Sequence, residues 1–93
     1  MFKILNIILL TIGMTYAQDL DLLFSDGNKS YNNGEFDDAV QVYEDILNQG
    51  FYSADLYYNL GNAYYRLEDF GNARWSYEMG SSIEPRDRDI IHN

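Results

Sequence analysis

The sequence has no cysteine and only one histidine, His92. Without cysteine the chain forms no disulfide, although small exported domains often use disulfides to compensate for a thin hydrophobic core. A single histidine near the end of the chain provides no base for the usual nucleophilic arrangements. The acidic residues fall mostly at predicted helix starts and outer faces rather than in apolar pockets. We therefore expect no enzymatic activity, no metal site and no cofactor.

Basic residues are also few, with 6 Lys and Arg against 15 Asp and Glu and a formal net charge of −9. Binding to nucleic acid or to an anionic membrane surface requires patches of Lys and Arg. We therefore expect no nucleic-acid partner, and membrane association only through the N-terminal segment or a downstream part of a longer protein. The acidity is compatible with a neutral or basic protein partner, and equally with a role in solubility alone.

The one long apolar run lies at the N-terminus. It follows Lys3 and extends from Ile4 to Ile12, and Thr15-Tyr16-Ala17 then places small residues where signal peptidase cleaves. The run is shorter than the roughly 20 apolar residues that span a membrane. We predict a signal peptide over residues 1–17 and an exported mature chain. An uncleaved N-terminal anchor is the alternative.

The rest of the chain repeats with a period of 34 residues. The matched pairs are Gly27 and Gly61, Asn28 and Asn62, Tyr31 and Tyr65, Phe36 and Phe70, Ala39 and Ala73, Tyr43 and Tyr77, Glu44 and Glu78, and Asp21-Leu22 and Asp55-Leu56. A period of this size is typical of helix-turn-helix repeats. A third copy begins at Arg88, and its Asn93 echoes Asn59.

Apolar residues at helical spacing predict two helices in each repeat. The predicted boundaries are about Asp19–Tyr31, Phe36–Leu47, Ala54 to a turn at Glu68-Asp69, and Phe70–Ile83. Gly34 and Gly50 are expected to end the first two helices, because glycine adopts the left-handed angle that helix ends favour. Ser53 is expected to cap the third helix. Pro85, the single proline, is expected to stop the fourth.

Small residues predict where the helices approach each other. We expect Gly61 to meet Ala73 at the crossing of the two helices of the second repeat, and Gly27 to meet Ala39 in the first. Gly80 is expected to lie where the second repeat abuts a following one. A glycine inside a helix costs roughly 1 kcal/mol against alanine, so we expect the second repeat to fray unless a following helix packs on it.

The repeat resembles the tetratricopeptide (TPR) family, whose pattern of large, small and aromatic residues spans 34 positions. The second repeat carries it as Tyr57, Leu60-Gly61, Tyr64, Ala73, Tyr77, Gly80 and Pro85, and the first as Leu23, Gly27, Ala39, Tyr43 and Ile46 without the proline. The resemblance implies an all-α helix-turn-helix solenoid. Its units are the signal peptide (1–17), repeat one (18–53), repeat two (54–87) and the start of a third repeat or a capping helix (88–93).

The same resemblance implies a concave groove, lined by the first helix of each repeat, that binds an extended peptide or a partner helix. The implied partner-binding residues are Phe24, Asn28, Tyr31, Tyr58, Asn62, Tyr65 and Arg66, with Asp21, Asn32 and Asp55 beside them. An asparagine side chain can hydrogen-bond a peptide backbone through both its donor and its acceptor group. Tyrosines are enriched at interfaces. The alternative is that these aromatic residues pack between the repeats.

Other sites fit the sequence less well. A carboxylate clamp of the kind found in chaperone adaptors needs a lysine where Phe24 stands and basic residues where Asp89 stands. A calcium loop beginning at Asp26 would need glycine where Tyr31 stands. Trp75 occupies a position that TPR proteins usually leave polar, and it either lies on a neighbouring helix or marks an outer contact patch.

We therefore expect a non-catalytic protein-binding scaffold in the periplasm or cell envelope of a Gram-negative bacterium. The run LYYNLGNAYYRLEDFGNARWSYE most resembles TPR proteins of the Bat aerotolerance gene clusters of Bacteroidetes, which implies a place in a membrane complex. The alternatives are a TPR module of an outer-membrane or secretion assembly factor, or an appendage of an enzyme encoded beyond Asn93. Because repeat proteins need about three units for a self-sufficient core, we expect the natural protein to continue past Asn93 or to pair with another chain.

Overall fold

The computed structural model describes residues 19–83. This part of the chain contains four α-helices and no strand: α1 (residues 19–32), α2 (Phe36–Asn48), α3 (Ala54–Arg66) and α4 (Phe70–Ile83). The predicted all-α class is therefore confirmed. The predicted signal peptide, the stop at Pro85 and the segment 88–93 lie outside the described residues.

The first three helices end in the same kind of turn. The residue after each C-cap has a left-handed backbone, with φ of +81° at Gly34, +91° at Gly50 and +62° at Glu68. Each turn closes with two backbone hydrogen bonds, such as those from Glu68 N to Tyr65 O at 2.9 Å and from Asp69 N to Tyr64 O at 2.9 Å. These bonds define the Schellman motif, which satisfies carbonyl groups at a helix end. The two glycine stops are confirmed, whereas the left-handed glutamate was not expected.

The start of α3 also follows the prediction. Ser53 has an extended backbone, and its Oγ accepts a hydrogen bond from Leu56 N at 3.0 Å. This bond satisfies one of the amide donors that a helix leaves unpaired in its first turn. The acidic Asp55 lies in the same turn, where it complements the positive end of the helix dipole.

The hydrophobic core lies mainly between α2 and α3, with apolar residues of α1 packed against it. The buried residues at its centre are Ala39, Tyr43, Ile46, Leu56, Leu60 and Ala63. Tyr64 of α3 donates a hydrogen bond to the carboxylate of Glu44 on α2, which connects the two halves of the described chain. None of the helices within residues 19–83 is long and apolar enough to cross a membrane.

Contacts within each half of the chain recur with the sequence period. Tyr31 meets Phe36 edge-on at 5.2 Å between ring centroids, and Tyr65 meets Phe70 edge-on at 5.3 Å. A Cβ added to Gly61 would lie 2.7 Å from the ring of Tyr77, and one added to Gly27 would lie 2.6 Å from the ring of Tyr43. The repeat in the sequence is therefore also a repeat of side-chain contacts.

These contacts add a neighbour that was not predicted for the small residues. Gly61 was expected to meet Ala73, and the atoms nearest to a Cβ on Gly61 belong to the ring of Tyr77. Gly27, which was expected to meet Ala39, likewise faces the ring of Tyr43. In both halves, glycine makes room for a tyrosine.

Gly80 also lies against a tyrosine ring, while its predicted contact with a following repeat lies outside the described residues. A Cβ on this residue would lie 2.6 Å from the ring of Tyr58, which belongs to α3 and therefore to the same repeat. The residues 34 positions earlier are Phe24 and Ile46. The second repeat thus pairs a tyrosine with a glycine where the first has a phenylalanine and a large aliphatic residue.

Candidate functional site

A polar cleft lies between α1 and α3 and has a volume of about 310 Å³. We call it the asparagine cleft, and its lining residues are Asn28, Tyr31, Asn32, Tyr43, Asn59 and Asn62. The first three come from α1, Tyr43 from α2, and the last two from α3. The helical spacing places Asn28 and Asn32 one turn apart on α1, and Asn59 and Asn62 one turn apart on α3. The cleft therefore presents amide and hydroxyl groups with no formal charge among its lining residues.

Two neighbours orient the side chain of Asn28. The hydroxyl of Tyr43 donates to Asn28 Oδ1 at 2.6 Å, and Asn59 Nδ2 donates to the same oxygen at 3.0 Å. Tyr43 is almost completely buried, and burial raises the pKa of its hydroxyl to about 12. This hydroxyl therefore stays protonated and remains a donor at neutral pH. Both acceptor positions of the Asn28 oxygen are used, so its NH₂ group is what remains for another molecule.

The second repeat orients Asn62 in the same way. The hydroxyl of Tyr77 donates to Asn62 Oδ1 at 2.6 Å, and burial raises the pKa of this tyrosine too. Asn62 is exposed. Within residues 19–83, its NH₂ group makes no hydrogen bond. The asparagines were expected to offer a peptide both a donor and an acceptor. Among residues 19–83, the oxygen of Asn28 accepts two hydrogen bonds and that of Asn62 accepts one, while both NH₂ groups remain.

Tyr31 lines the asparagine cleft, and its repeat partner Tyr65 is 56% exposed. The guanidinium carbon of Arg66 lies 4.6 Å from the centroid of the Phe36 ring, a distance at which a cation is attracted to the aromatic face. Arg66 belongs to α3 and Phe36 to α2, so this contact connects the two repeats. Of the predicted site residues, the structure brings Asn28, Tyr31 and Asn62 together in one cleft.

Phe24 and Tyr58 do not line the asparagine cleft. The ring of Phe24 lies 6.0 Å from the ring of Tyr43 and packs against the core. The ring of Tyr58 lies against Gly80, and its hydroxyl is 3.5 Å from Ser81 Oγ. Both aromatic rings are thus partly used in packing. Their contacts with Tyr43 and Gly80 lie within one repeat, whereas the alternative interpretation placed such packing between the repeats.

Two lining residues were absent from the predicted site. Tyr43 fits the apolar pattern of the core, and nothing in that pattern marks its hydroxyl as part of a polar site. Asn59 has no asparagine counterpart 34 residues earlier, where the sequence has Ser25. The signal that would have found both is chemical: a buried tyrosine needs a hydrogen-bond partner, and a neighbouring asparagine can provide one.

Groups with reactive or metal-binding potential are sparse in the described residues. Residues 19–83 contain no cluster of His, Asp and Glu that could hold a metal ion, and every buried side-chain polar atom among them has a hydrogen-bond partner. Burial, together with the hydrogen bond to Glu44, raises the pKa of Tyr64, so this tyrosine stays a neutral donor that joins two helices.

Trp75 of α4 is half-exposed and lines a shallow recess together with residues of α2 and α3. Its ring meets Tyr57 edge-on at 5.8 Å, and the side chain is 49% exposed. The contact with Tyr57 stabilises the α3–α4 pair, while the exposed half remains available to solvent.

No protein-family model matches the chain, and no curated protein sequence matches it.

Proposed function

We propose that this chain is a non-catalytic TPR-type scaffold that binds an extended segment or a helix of a partner protein in its concave groove. The observation that carries the proposal is the pair of tyrosine-anchored amides, Asn28 and Asn62, which occupy equivalent places in successive repeats and line one cleft.

The recurring contacts support a TPR-like arrangement of the repeats. The glycine–tyrosine contact, the tyrosine–asparagine hydrogen bond and the tyrosine–phenylalanine contact each occur twice, 34 residues apart. Repeat proteins stack such units so that each contacts only its neighbours, and the stacking leaves an extended concave surface. In this proposal, α1 and α3 are the first helices of two successive units and provide that surface.

The anchored amides suit main-chain recognition. Since the tyrosine hydroxyls hold the amide oxygens, the NH₂ groups of Asn28 and Asn62 are left to donate to carbonyl oxygens of a bound segment. An extended peptide offers such carbonyls along its length whatever its side chains are, and main-chain bonds of this kind contribute affinity without sequence specificity. Tyr31 and Tyr65 add contact area beside these donors, and Arg66 adds the possibility of one contact to an anionic group.

The N-terminal sequence supports an exported location for this scaffold, in the periplasm or cell envelope. The narrower form of the proposal is a role in a membrane complex, as for the TPR proteins of Bat gene clusters. In either form the protein contributes no chemistry of its own and holds a partner in place.

The decisive experiment uses Asn28→Asp together with Asn62→Asp. Aspartate keeps an oxygen that accepts from Tyr43 or Tyr77, so the internal hydrogen bonds survive while the NH₂ donors are lost. Asn33→Asp together with Asn48→Asp is the matched control: it makes the same change of charge at two exposed asparagines outside the asparagine cleft. Each protein is crosslinked in the native cell envelope, and captured proteins are quantified by mass spectrometry.

We expect a specific envelope protein to be captured by the unaltered chain and by the control, and to be lost with the cleft variant. Circular dichroism and urea unfolding establish that both variants are folded. Equal capture by all three proteins would place the binding surface elsewhere and contradict the proposal for this cleft.

A further inference from the structure

A second cleft lies between the first turns of α1 and α3 and has a volume of about 430 Å³. We call it the end cleft. Its floor is apolar and includes Phe24, Ile46 and Leu56, of which the last two are buried. Tyr52, in the segment that precedes α3, lies at its side and is 65% exposed. This is an apolar recess with an open mouth, and it shares no lining residue with the asparagine cleft.

Two carboxylates accompany this apolar floor. Asp21 and Asp55 both line the end cleft, both are exposed, and they occupy the same position in successive repeats. Neither makes a hydrogen bond or an ion pair within residues 19–83, where the ion pair that is present joins Arg74 and Glu78. No described basic residue lines the cleft. Its rim is thus negatively charged, and no side chain of residues 19–83 compensates this charge.

We propose that the end cleft binds an apolar side chain of a partner protein that is flanked by lysine or arginine. Burial of the apolar side chain against Phe24, Ile46 and Leu56 would provide most of the affinity, because exposed ion pairs contribute little. The carboxylates would select the sign of the flanking charge, since complementary charges govern specificity and association rate more than affinity. The inference rests on the proposed protein-binding function and adds the chemistry of the bound segment.

Charge also argues against a second copy of the chain as the occupant. The chain carries a formal net charge of −9, so two copies repel each other. A segment rich in lysine or arginine is instead attracted to the whole surface as well as to the rim. The occupant to which we commit is therefore a basic, apolar-anchored segment of a different protein.

The test uses three capped pentapeptides as probes: leucine between two lysines, leucine between two glutamates, and serine between two lysines. Each is titrated into the ¹⁵N-labelled full chain while amide chemical shifts are followed by NMR. We expect the lysine–leucine peptide to shift amides in the first turns of α1 and α3 with the highest affinity, and to bind less well as salt is added. The glutamate–leucine and lysine–serine peptides should each bind several-fold more weakly.

A variant that neutralises the two carboxylates of the end cleft tests their role directly. Asp21→Asn together with Asp55→Asn should weaken binding of the lysine–leucine peptide roughly fivefold, because each exposed ion pair is worth a factor of only about two to five. Asp37→Asn together with Asp38→Asn removes the same charge from the first turn of α2, away from the end cleft, and should weaken binding much less.

Several outcomes would overturn the inference. Equal binding of the glutamate–leucine peptide, or an unchanged affinity in the Asp21/Asp55 variant, would remove the role of the carboxylates. End-cleft shifts that depend on protein concentration without peptide would identify a second copy as the occupant. If Leu9→Asp in the full chain shifts the end-cleft amides without peptide, the occupant of the cleft is the chain's own N-terminal segment. Shifts confined to the asparagine cleft would refute the end cleft and leave the proposed function standing.

Discussion

The turns after α1 and α3 allow one backbone effect to be tested in both directions. Gly34 and Glu68 occupy the same position of two Schellman motifs, with φ of +81° and +62°. A Cβ added at Gly34 would meet no atom within 4 Å, so the Cβ itself causes no clash there. The two positions thus differ in residue type at an equivalent left-handed backbone. We predict that Glu68→Gly stabilises the protein and that Gly34→Glu destabilises it.

The magnitude follows from two opposing terms. A left-handed backbone costs a residue other than glycine about 1–2 kcal/mol. Glycine lowers the free energy of unfolding by roughly 0.5–1 kcal/mol relative to alanine, because its backbone has more conformational freedom to lose when the chain folds. A negative charge at a helix C-terminus adds a few tenths of a kcal/mol to the cost of glutamate. Each substitution should therefore change the free energy of unfolding by about 1 kcal/mol, with opposite signs.

Urea unfolding followed by circular dichroism measures this change as a shift of the midpoint at constant slope. In thermal unfolding, 1 kcal/mol corresponds to about 4–8 °C for a domain of this size. Glu68→Gln is the control that removes the charge and keeps the strained backbone. It should give only the small part of the effect that comes from the helix dipole.

The double variant Gly34→Glu/Glu68→Gly should return close to the stability of the unaltered protein, because the two turns are separate and their effects should add. A neutral or destabilising Glu68→Gly, or a Glu68→Gln that recovers the whole gain, would contradict the prediction. The first result would mean that the left-handed angle at Glu68 carries no strain, and the second that charge alone is responsible.

Three further predictions concern packing, capping and pH. Gly27→Ala should lower the free energy of unfolding in urea by about 1–2 kcal/mol, since its Cβ would lie 2.6 Å from the buried ring of Tyr43 and overpacking outweighs the gain in helix propensity. Gly71→Ala is the control: its Cβ would meet no atom within 4 Å, so it should not destabilise the protein. Ser53→Ala should cost about 1 kcal/mol through loss of the α3 cap, whereas Ser25→Ala at an exposed site should be nearly neutral. Burial raises the pKa of Tyr43 from 10.0 to about 12, so between these pH values the folded chain keeps a proton that the unfolded chain loses. The free energy of unfolding should therefore fall as the pH rises from 10 towards 12, and it should fall less steeply in Tyr43→Phe. A fall of equal steepness in the variant would contradict the last prediction.

The local features of the fold could be predicted because neighbouring residues determine them. The cap at Ser53 and the stops at Gly34 and Gly50 depend on hydrogen bonds and backbone angles within a few residues. Glu68 was missed because glutamate gives no sign of a left-handed angle; only its equivalence to Gly34 in the repeat hints at it. Each turn is closed by the same pair of backbone bonds whichever residue occupies the position.

The candidate site could be predicted only in part. The resemblance to TPR repeats pointed to Asn28 and Asn62, and both line one cleft. It could not indicate that Tyr43 and Tyr77 hold the amide oxygens, because that depends on how rings on a second helix pack against the first. The packing of Tyr58 on Gly80 escaped prediction for the same reason.

The sequence by itself determined the helical class, the helix boundaries and the period, because amphipathic spacing and turn residues act over short distances along the chain. Only the tertiary structure decided which aromatic rings are used in packing and which face of each asparagine remains for a partner. It also decided that Asp21 and Asp55 share one apolar cleft. These properties arise from contacts between helices, where the volume and orientation of side chains distant in sequence determine which groups are buried and which remain accessible.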